Sequence, residues 1–289
     1  MKNFKGRTAV ITGAATGIGR SIALTLAREG VNIVIADIDH SAALATRSEV
    51  VDLGVQCLAV KVDVADLASV TELADTSYNE FGNVDILVNN AGVTMRPYRA
   101  SWDASYADYQ WMFAINWWGV LHGFHVFVPR MREQEGDKHI VSTSSMAALI
   151  PPPGHAAYAA SKAAVEIFSL SAREEFILTQ QNIGVSVLYP GPVATRIASS
   201  ERLRSEGDRS EARAVKPFSD YLPADDKAAE DRRAGLGRES LYDAPIDADL
   251  VGPMVLNGIK NNLPAIVTQQ VPKVPLQKRA QSLLDAWKG

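Results

Sequence analysis

The stretch Thr8-Ala9-Val10-Ile11-Thr12-Gly13-Ala14-Ala15-Thr16-Gly17-Ile18-Gly19 decides how the rest of the chain is read. A short β-branched run leads into closely spaced glycines, and an amphipathic pattern then continues from Ile18 to Arg28. Strand, glycine turn and helix in that order bring free backbone amides and the positive end of a helix dipole to one point, where a diphosphate binds. Glycines by themselves also make plain turns, so the strand before and the helix after carry the reading. Gly13, Thr16, Gly17, Ile18 and Gly19 are therefore expected to hold a dinucleotide.

Asp37 stands after the next β-branched run, 18 residues beyond Gly19, close to the roughly 20 expected of the acid that accepts the ribose hydroxyls. A 2′-phosphate would meet like charge there, and no Arg or Lys lies in the glycine loop or directly after Asp37 to offset it. The expected cofactor is NAD. Asp37 as a mere helix cap is the weaker reading, since Asp39 and Ser41 are equally available as caps.

Working outward, strands are expected at Thr8 to Thr12, Asn32 to Ala36, Gln56 to Val60, Val84 to Val88, His139 to Ser142, Gly184 to Leu188 and Ala265 to Thr268. Helical periodicity fills the intervals at Ile18 to Arg28, His40 to Leu53, Leu67 to Phe81, Tyr106 to Arg132, Tyr158 to Leu178, Ala248 to Lys260 and Leu276 to Trp287. Alternating elements mean parallel pairing, and runs such as Ile33-Val34-Ile35-Ala36, apolar at successive positions, mean strands covered on both faces. The expected fold is α/β, a doubly wound, mostly parallel seven-stranded sheet of Rossmann type in a single domain over residues 1–289. Two features sit outside that alternation. A charged stretch from Glu201 to Arg233, within an excursion at about 195–247, reads as a substrate lid or a solvated insertion. The tail at about 274–287 places Leu276, Ala280, Leu283, Leu284 and Trp287 on one helical stripe that wants a partner surface, its own subunit or a neighbour.

Composition removes several function classes. Lys plus Arg number 29 against 33 Asp plus Glu, a net charge of −4, so no overall positive field gathers a nucleic acid. Cys57 is the only cysteine, which excludes an intrachain disulfide and a multi-cysteine metal site and suits a reducing, cytoplasmic setting. No metal is expected. No apolar run approaches the roughly 18 residues of a membrane span, and Ala9-Val10-Ile11 is too short for a secretory core.

Tyr158 and Lys162 stand four apart near the start of a long helix and so share one face. A free phenol titrates near 10, and each unit towards neutrality needs about 1.4 kcal/mol of favourable field on the phenolate. A neighbouring ammonium and a cationic nicotinamide ring are sources of that field.

Taken together and in order, the glycine stretch, Asn89-Asn90-Ala91-Gly92, Asn116, Ser145, Tyr158-Ala-Ala-Ser-Lys162 and Pro190-Gly191-Pro192-Val193-Ala194-Thr195 resemble the short-chain dehydrogenase/reductase family over nearly the whole chain. The resemblance implies Tyr158 as general acid/base and Lys162 as the residue that lowers its pKa and holds the nicotinamide ribose. It implies Ser145 as hydrogen-bond donor to the reacting oxygen, preferred over adjacent Ser144 by family spacing, and Asn116 as holder of a water that relays protons to Lys162. It also implies Asp63 and Val64 at the adenine, Asn90, Ala91 and Gly92 beside the cofactor, Pro190 and Gly191 at the turn, and Val193 with Thr195 at the carboxamide. Family members are commonly homodimers or homotetramers, and the same is expected here.

Met95, Met146, His155 and Trp118 are the substrate-lining candidates and, with Tyr98 and Trp102 also near the site, suggest a hydrophobic pocket for an aromatic or alicyclic secondary alcohol or ketone. For each, ordinary packing is the alternative, and Trp117 and Trp118 do not both point inward from one helix. Tyr109 to Asn116 and Val126 to Met131, with the lid and tail, are loosely similar to a bacterial subgroup that includes Cα-dehydrogenases of lignin-derived aryl ether alcohols. The expected reaction is hydride transfer between a hydrophobic alcohol and NAD. The rival readings are a catalytically silent nucleotide-binding or scaffolding protein, a ketone reductase working mainly in the reductive direction, and a sugar-nucleotide epimerase or dehydratase, whose glycine motif differs.

Overall fold

The computed structural model describes residues 1–150, 152–204, 206–207, 216–222, 244–269 and 273–287. Seven parallel strands, β1 (Thr8–Thr12), β2 (Asn32–Asp37), β3 (Cys57–Lys61), β4 (Ile86–Asn89), β5 (Lys138–Thr143), β6 (Ile183–Tyr189) and β9 (Ala265–Val267), form one sheet in the order β3-β2-β1-β4-β5-β6-β9. The remaining short strands, β7 (Val193–Ala194) and β8 (Ile246–Asp247), pair with each other and bring the ends of the charged excursion together. Chain order reverses between β1 and β4, and a doubly wound sheet opens its ligand crevice at such a point, beyond the carboxyl ends of the strands.

The sheet is covered on both faces because its strands have no polar side to turn to water. Ile33, Val34 and Ile35 alternate in direction and are all fully buried. Each such side chain contributes roughly 1.5–3 kcal/mol through burial. On one face α1 (Gly17–Arg28) and α8 (Val251–Lys260) pack with Ile33 and Ile35, and Ser21 Oγ accepts from Gly252 N at 3.0 Å. On the other, α3 (Leu67–Phe81), α5 (Gly119–Glu133) and α7 (Ala156–Leu178) cover Val10, Val34 and Leu87. On the same face as α1, α2 (His40–Val51) begins at Asp39, whose carboxylate accepts from Ala42 N, so Asp39 is the cap and Asp37 is left for the cleft.

The pattern expected as one helix from Tyr106 to Arg132 is three pieces. α4 (Tyr106–Phe113) passes into a π-helical turn at Ala114–Trp118 and then into α5. Such wide turns often mark functional sites, and this one carries Asn116. The four-residue α6 (Met146–Leu149) opens at Ser145, and the tail helix α9 spans Lys273–Ala286. Most of the charged excursion, including 208–215 and 223–243, lies outside the described residues. Its first part, Arg196–Leu203, is a 3-10 helix capped by Thr195. No described helix is long and apolar enough to cross a membrane.

Candidate active site

A cleft of about 710 Å³ runs over the carboxyl ends of β1, β2, β4, β5 and β6. At one end lie Gly13, Thr16, Gly17 and Ile18, with Asp37, Asp63 and Val64 beside them; Asn90, Ala91 and Gly92 form the middle. Pro190, Gly191, Val193 and Thr195 form the wall after β6, and Ser145, Met146, His155, Tyr158 and Lys162 close the far end.

The glycine loop is shaped for close approach. A Cβ on Gly13 would lie 2.8 Å from Ala91 Cα, and Gly13 and Gly17 hold φ of 64° and 58°, where only glycine is unstrained. Gly19 works from behind: a Cβ there would sit 2.2 Å from Gly13 O, so it seats α1 against the loop and does not line the cleft. Asn90 Nδ2 donates to Thr12 O at 3.0 Å and to Gly13 O at 3.1 Å, and Thr12 Oγ1 accepts from Asn90 N and Ala91 N. Asn90 thus braces the loop. Asp37 accepts from Ala15 N and Asp39 N, both at 3.0 Å, and presents its carboxylate at the adenosine end. These residues fit a dinucleotide: glycines where any side chain would block the diphosphate, amides at the start of α1, and an acid for ribose hydroxyls.

Across the cleft the structure adds cations that spacing along the chain gave no reason to place there. Arg196 Nη1 lies 3.8 Å from Asp39 Oδ2, and Arg202 donates to Arg196 O, Ser199 O and Ser199 Oγ. Burial and the neighbouring Arg196 hold Arg202 below the usual guanidinium range, while Asp39 and Asp37 pull the other way.

Tyr158 lies in the first turn of α7, where the helix dipole favours a phenolate. It is buried, and Lys162 Nζ lies 5.9 Å from its ring centroid. Lys162 Nζ donates to Thr143 O at 2.8 Å, and burial brings its pKa down to about 8. Ser145 Oγ accepts from Ala147 N at 3.1 Å as the cap of α6, which leaves its own proton for an oxygen in the cleft. Ser144 spends its proton on Lys162 O at 2.8 Å. The adjacent hydroxyls are thereby given different tasks.

Besides Gly19, other expected residues are placed outside the cleft. Asn116 is fully buried: its Oδ1 accepts from Val93 N, and its Nδ2 donates to Val93 O and Ser161 Oγ, so its side chain ties the loop after β4 to α7. Met95 does not line the cavity, a correction to the substrate wall expected above; it is fully buried with Met112 behind Tyr158, because the loop after β4 folds under the site. Trp118 is likewise corrected. The π-helical turn widens the spacing so that Asn116 faces in, Trp117 packs edge-on against Phe168, and Trp118 faces out, 48% exposed. Tyr98 lines the substrate side as expected while Trp102 is exposed outside it, and Thr94, Arg96 and Trp111, which no periodicity in their loop or short helix singles out, complete that wall.

Among the described residues, no group of three or more His, Cys, Asp or Glu is placed to hold a metal ion. A doubly wound sheet with a dinucleotide cleft and a Tyr, Lys and Ser at its substrate end defines an oxidoreductase of the Rossmann class. The family model of the short chain dehydrogenase matches residues 7–206, and the chain belongs to the short-chain dehydrogenase/reductase family. It is 38% identical over 193 residues to the 1-deoxy-11-beta-hydroxypentalenate dehydrogenase of Streptomyces exfoliatus, covering 67% of this chain and 70% of that one. It is 33% identical over 204 residues to the CLA biosynthesis dehydrogenase/reductase of Lactiplantibacillus plantarum, covering 71% of each. A short-chain dehydrogenase/reductase from Burkholderia phymatum, solved in complex with NAD, superposes with a TM-score of 0.84 at 33% identity, covering 98% of this chain and 96% of that one. The LigD apo form from Sphingobium sp. strain SYK-6 shares the fold, with a TM-score of 0.74 at 24% identity over 98% and 97% of the chains.

Proposed function

We propose that this protein is an NAD-dependent dehydrogenase that interconverts a hydrophobic secondary alcohol, aromatic or alicyclic, and its ketone. The observation that carries the reading is the placing of Tyr158, Lys162 and Ser145 at the end of the same cleft that Asp37 closes at the other. When bound, the nicotinamide ring supplies the hydride acceptor. Tyr158 takes the proton of the carbinol hydroxyl, and the phenolate so required is favoured by the Lys162 ammonium and the start of α7. Ser145 donates a hydrogen bond to the same oxygen as its charge changes. Lys162 holds the nicotinamide ribose, and Thr195 with Val193 holds the carboxamide. Asn116 fixes the Val93 backbone, and its Oδ1 and Lys162 Nζ both lie beside Gly92, where a water would relay protons to Lys162.

NAD is favoured over NADP by the Asp37 carboxylate, and the NAD complex of the Burkholderia relative supports that choice. Tyr98, Trp111, Met146 and His155 make the substrate side largely apolar, and the Streptomyces relative is named as a dehydrogenase of a hydroxypentalenate. Exposed Ile167, Ile177 and Leu178 on α7 support assembly as a homodimer or homotetramer. The test is a panel of aryl and alicyclic secondary alcohols with NAD, read by nicotinamide absorbance. Tyr158→Phe is expected to bind coenzyme normally and lose turnover at least ~10³-fold, within the range of lost acid/base catalysis. Near-normal turnover by that variant would overturn the mechanism.

A further inference from the structure

His155 immediately precedes α7 and does not cap it: its side chain makes no cap hydrogen bond. The ring instead lies flat against Tyr158, with centroids 4.5 Å apart and planes 12° from parallel. Its Nε2 is 2.7 Å from Thr94 Oγ1, and Tyr98 meets it edge-on at 4.6 Å. The Arg96 guanidinium covers Tyr98 in turn, 3.9 Å from the ring centroid. His155 is 5% exposed, and on its other side Tyr158 shares a buried cluster with Met95 and Met112.

We propose that His155 is the positioning residue of Tyr158: held by Thr94 and Tyr98, its imidazole backs the phenol ring and so fixes where the phenol oxygen meets the substrate. A tyrosine side chain turns about two bonds: rotation about Cβ–Cγ leaves the phenol oxygen on its axis, whereas rotation about Cα–Cβ swings it out of the roughly 2.6–3.2 Å needed for proton transfer. A ring stacked against it, with centroids 4.5 Å apart, blocks the swing to that side. Displacement by about 1 Å is enough to lower a rate ~10²-fold, so a ring that merely stacks has a kinetic consequence. This inference rests on Tyr158 being the proton acceptor proposed above.

The test compares wild type, His155→Ala, His155→Phe and Thr94→Val, measuring kcat and KM for an alcohol the wild type oxidises, coenzyme Kd by fluorescence, and Tm. His155→Ala is expected to lose about 100-fold in kcat, with KM changed less than about threefold and coenzyme Kd within about twofold. His155→Phe keeps the stack and is expected within about fivefold of wild type, and Thr94→Val falls about tenfold in kcat because the ring is less firmly held. A wild-type kcat with raised KM in His155→Ala would make His155 a substrate contact and overturn the proposal. If His155→Ala does not fold, an inactive His155→Phe or a fully active Thr94→Val overturns it equally. A wild type that binds NAD and oxidises no alcohol overturns the dehydrogenase reading and this one with it, whereas an active wild type with unimpaired variants overturns this one alone.

Discussion

Asn90, on the coenzyme side of the cleft, places its hydrogen bonds on backbone atoms of the glycine loop, whereas Asp108, on the substrate side, lies between two guanidinium groups. Arg99 donates to one Asp108 oxygen, and Arg204, 96 residues further along, donates to the other at 2.6 Å; all three side chains are buried. Ser105 and Asp108 also form the capping box of α4, and Arg99 N donates to Gly154 O. The loop after β4, the start of α4, the segment before Tyr158 and the first part of the excursion are thus joined around one carboxylate. The core of the glycine loop is held by neutral hydrogen bonds and close backbone packing, with the Asp37 carboxylate bonded at its edge, and so depends less on charge. The substrate half is held by an ion network, which depends on it strongly.

The sharpest way to break that contrast is Asp108→Ala. It removes the carboxylate that two buried cations share, leaving Arg204 with Glu201 at 3.6 Å, and is expected to lower stability by about 3–5 kcal/mol, read by denaturant unfolding at neutral pH. The contrast also has a pH signature. Burial works to raise the Asp108 pKa, but hydrogen bonds from Arg99 and Arg204 outweigh it and hold the carboxyl below its ordinary value of 3.8. The folded state therefore takes up its proton at lower pH than the unfolded chain. Its stabilisation is complete above the ordinary carboxylate range and is lost as pH falls through the folded value. Asp108→Asn is expected to lose that part of the acid slope in unfolding curves.

On the coenzyme side the corresponding experiment is Gly19→Ala. Its Cβ would strike Gly13 O, and overpacking of about 1–3 kcal/mol corresponds to roughly 5- to 150-fold weaker NAD binding by titration. Its acid unfolding is expected to match wild type. Asp37→Ala is a smaller change: about tenfold weaker NAD and tighter NADP in binding measurements, because like-charge repulsion is gone while Arg196 and Arg202 remain. A wild type that already prefers NADP would reverse the reading of Asp37. Smallest is Arg279→Ala. Arg279 Nη1 on α9 donates to Ala148 O and Leu149 O, the end of the helix that carries Met146. Losing those bonds is expected to raise substrate KM by about two- to fivefold, on the scale of about 1 kcal/mol, with coenzyme Kd unchanged.

The coenzyme half was legible in the sequence because its elements are local. β1 occupies Thr8–Thr12 as expected, and β2 continues one residue to Asp37, whose pairing with Lys61 carries β3 along with it. The substrate half was legible at Tyr158, Lys162, Ser145, Met146, His155 and Tyr98. Trp118 was misplaced because a 3.6-residue period was extended across a π-helical turn, and Met95 because a loop residue has no period to read.

By itself the chain determined the parallel doubly wound sheet, the glycine turn and the acid after β2, since alternating apolar runs, conformational freedom at Gly13 and short spacings act within a few residues of where they are written. Only the tertiary structure decided which hydroxyl, Ser144 or Ser145, keeps a proton for the cleft, that Arg196 and Arg202 reach Asp39, and that His155 lies flat on Tyr158. Those relations join side chains from loops that the sheet order brings together, and a contact between separate elements is set by how they pack.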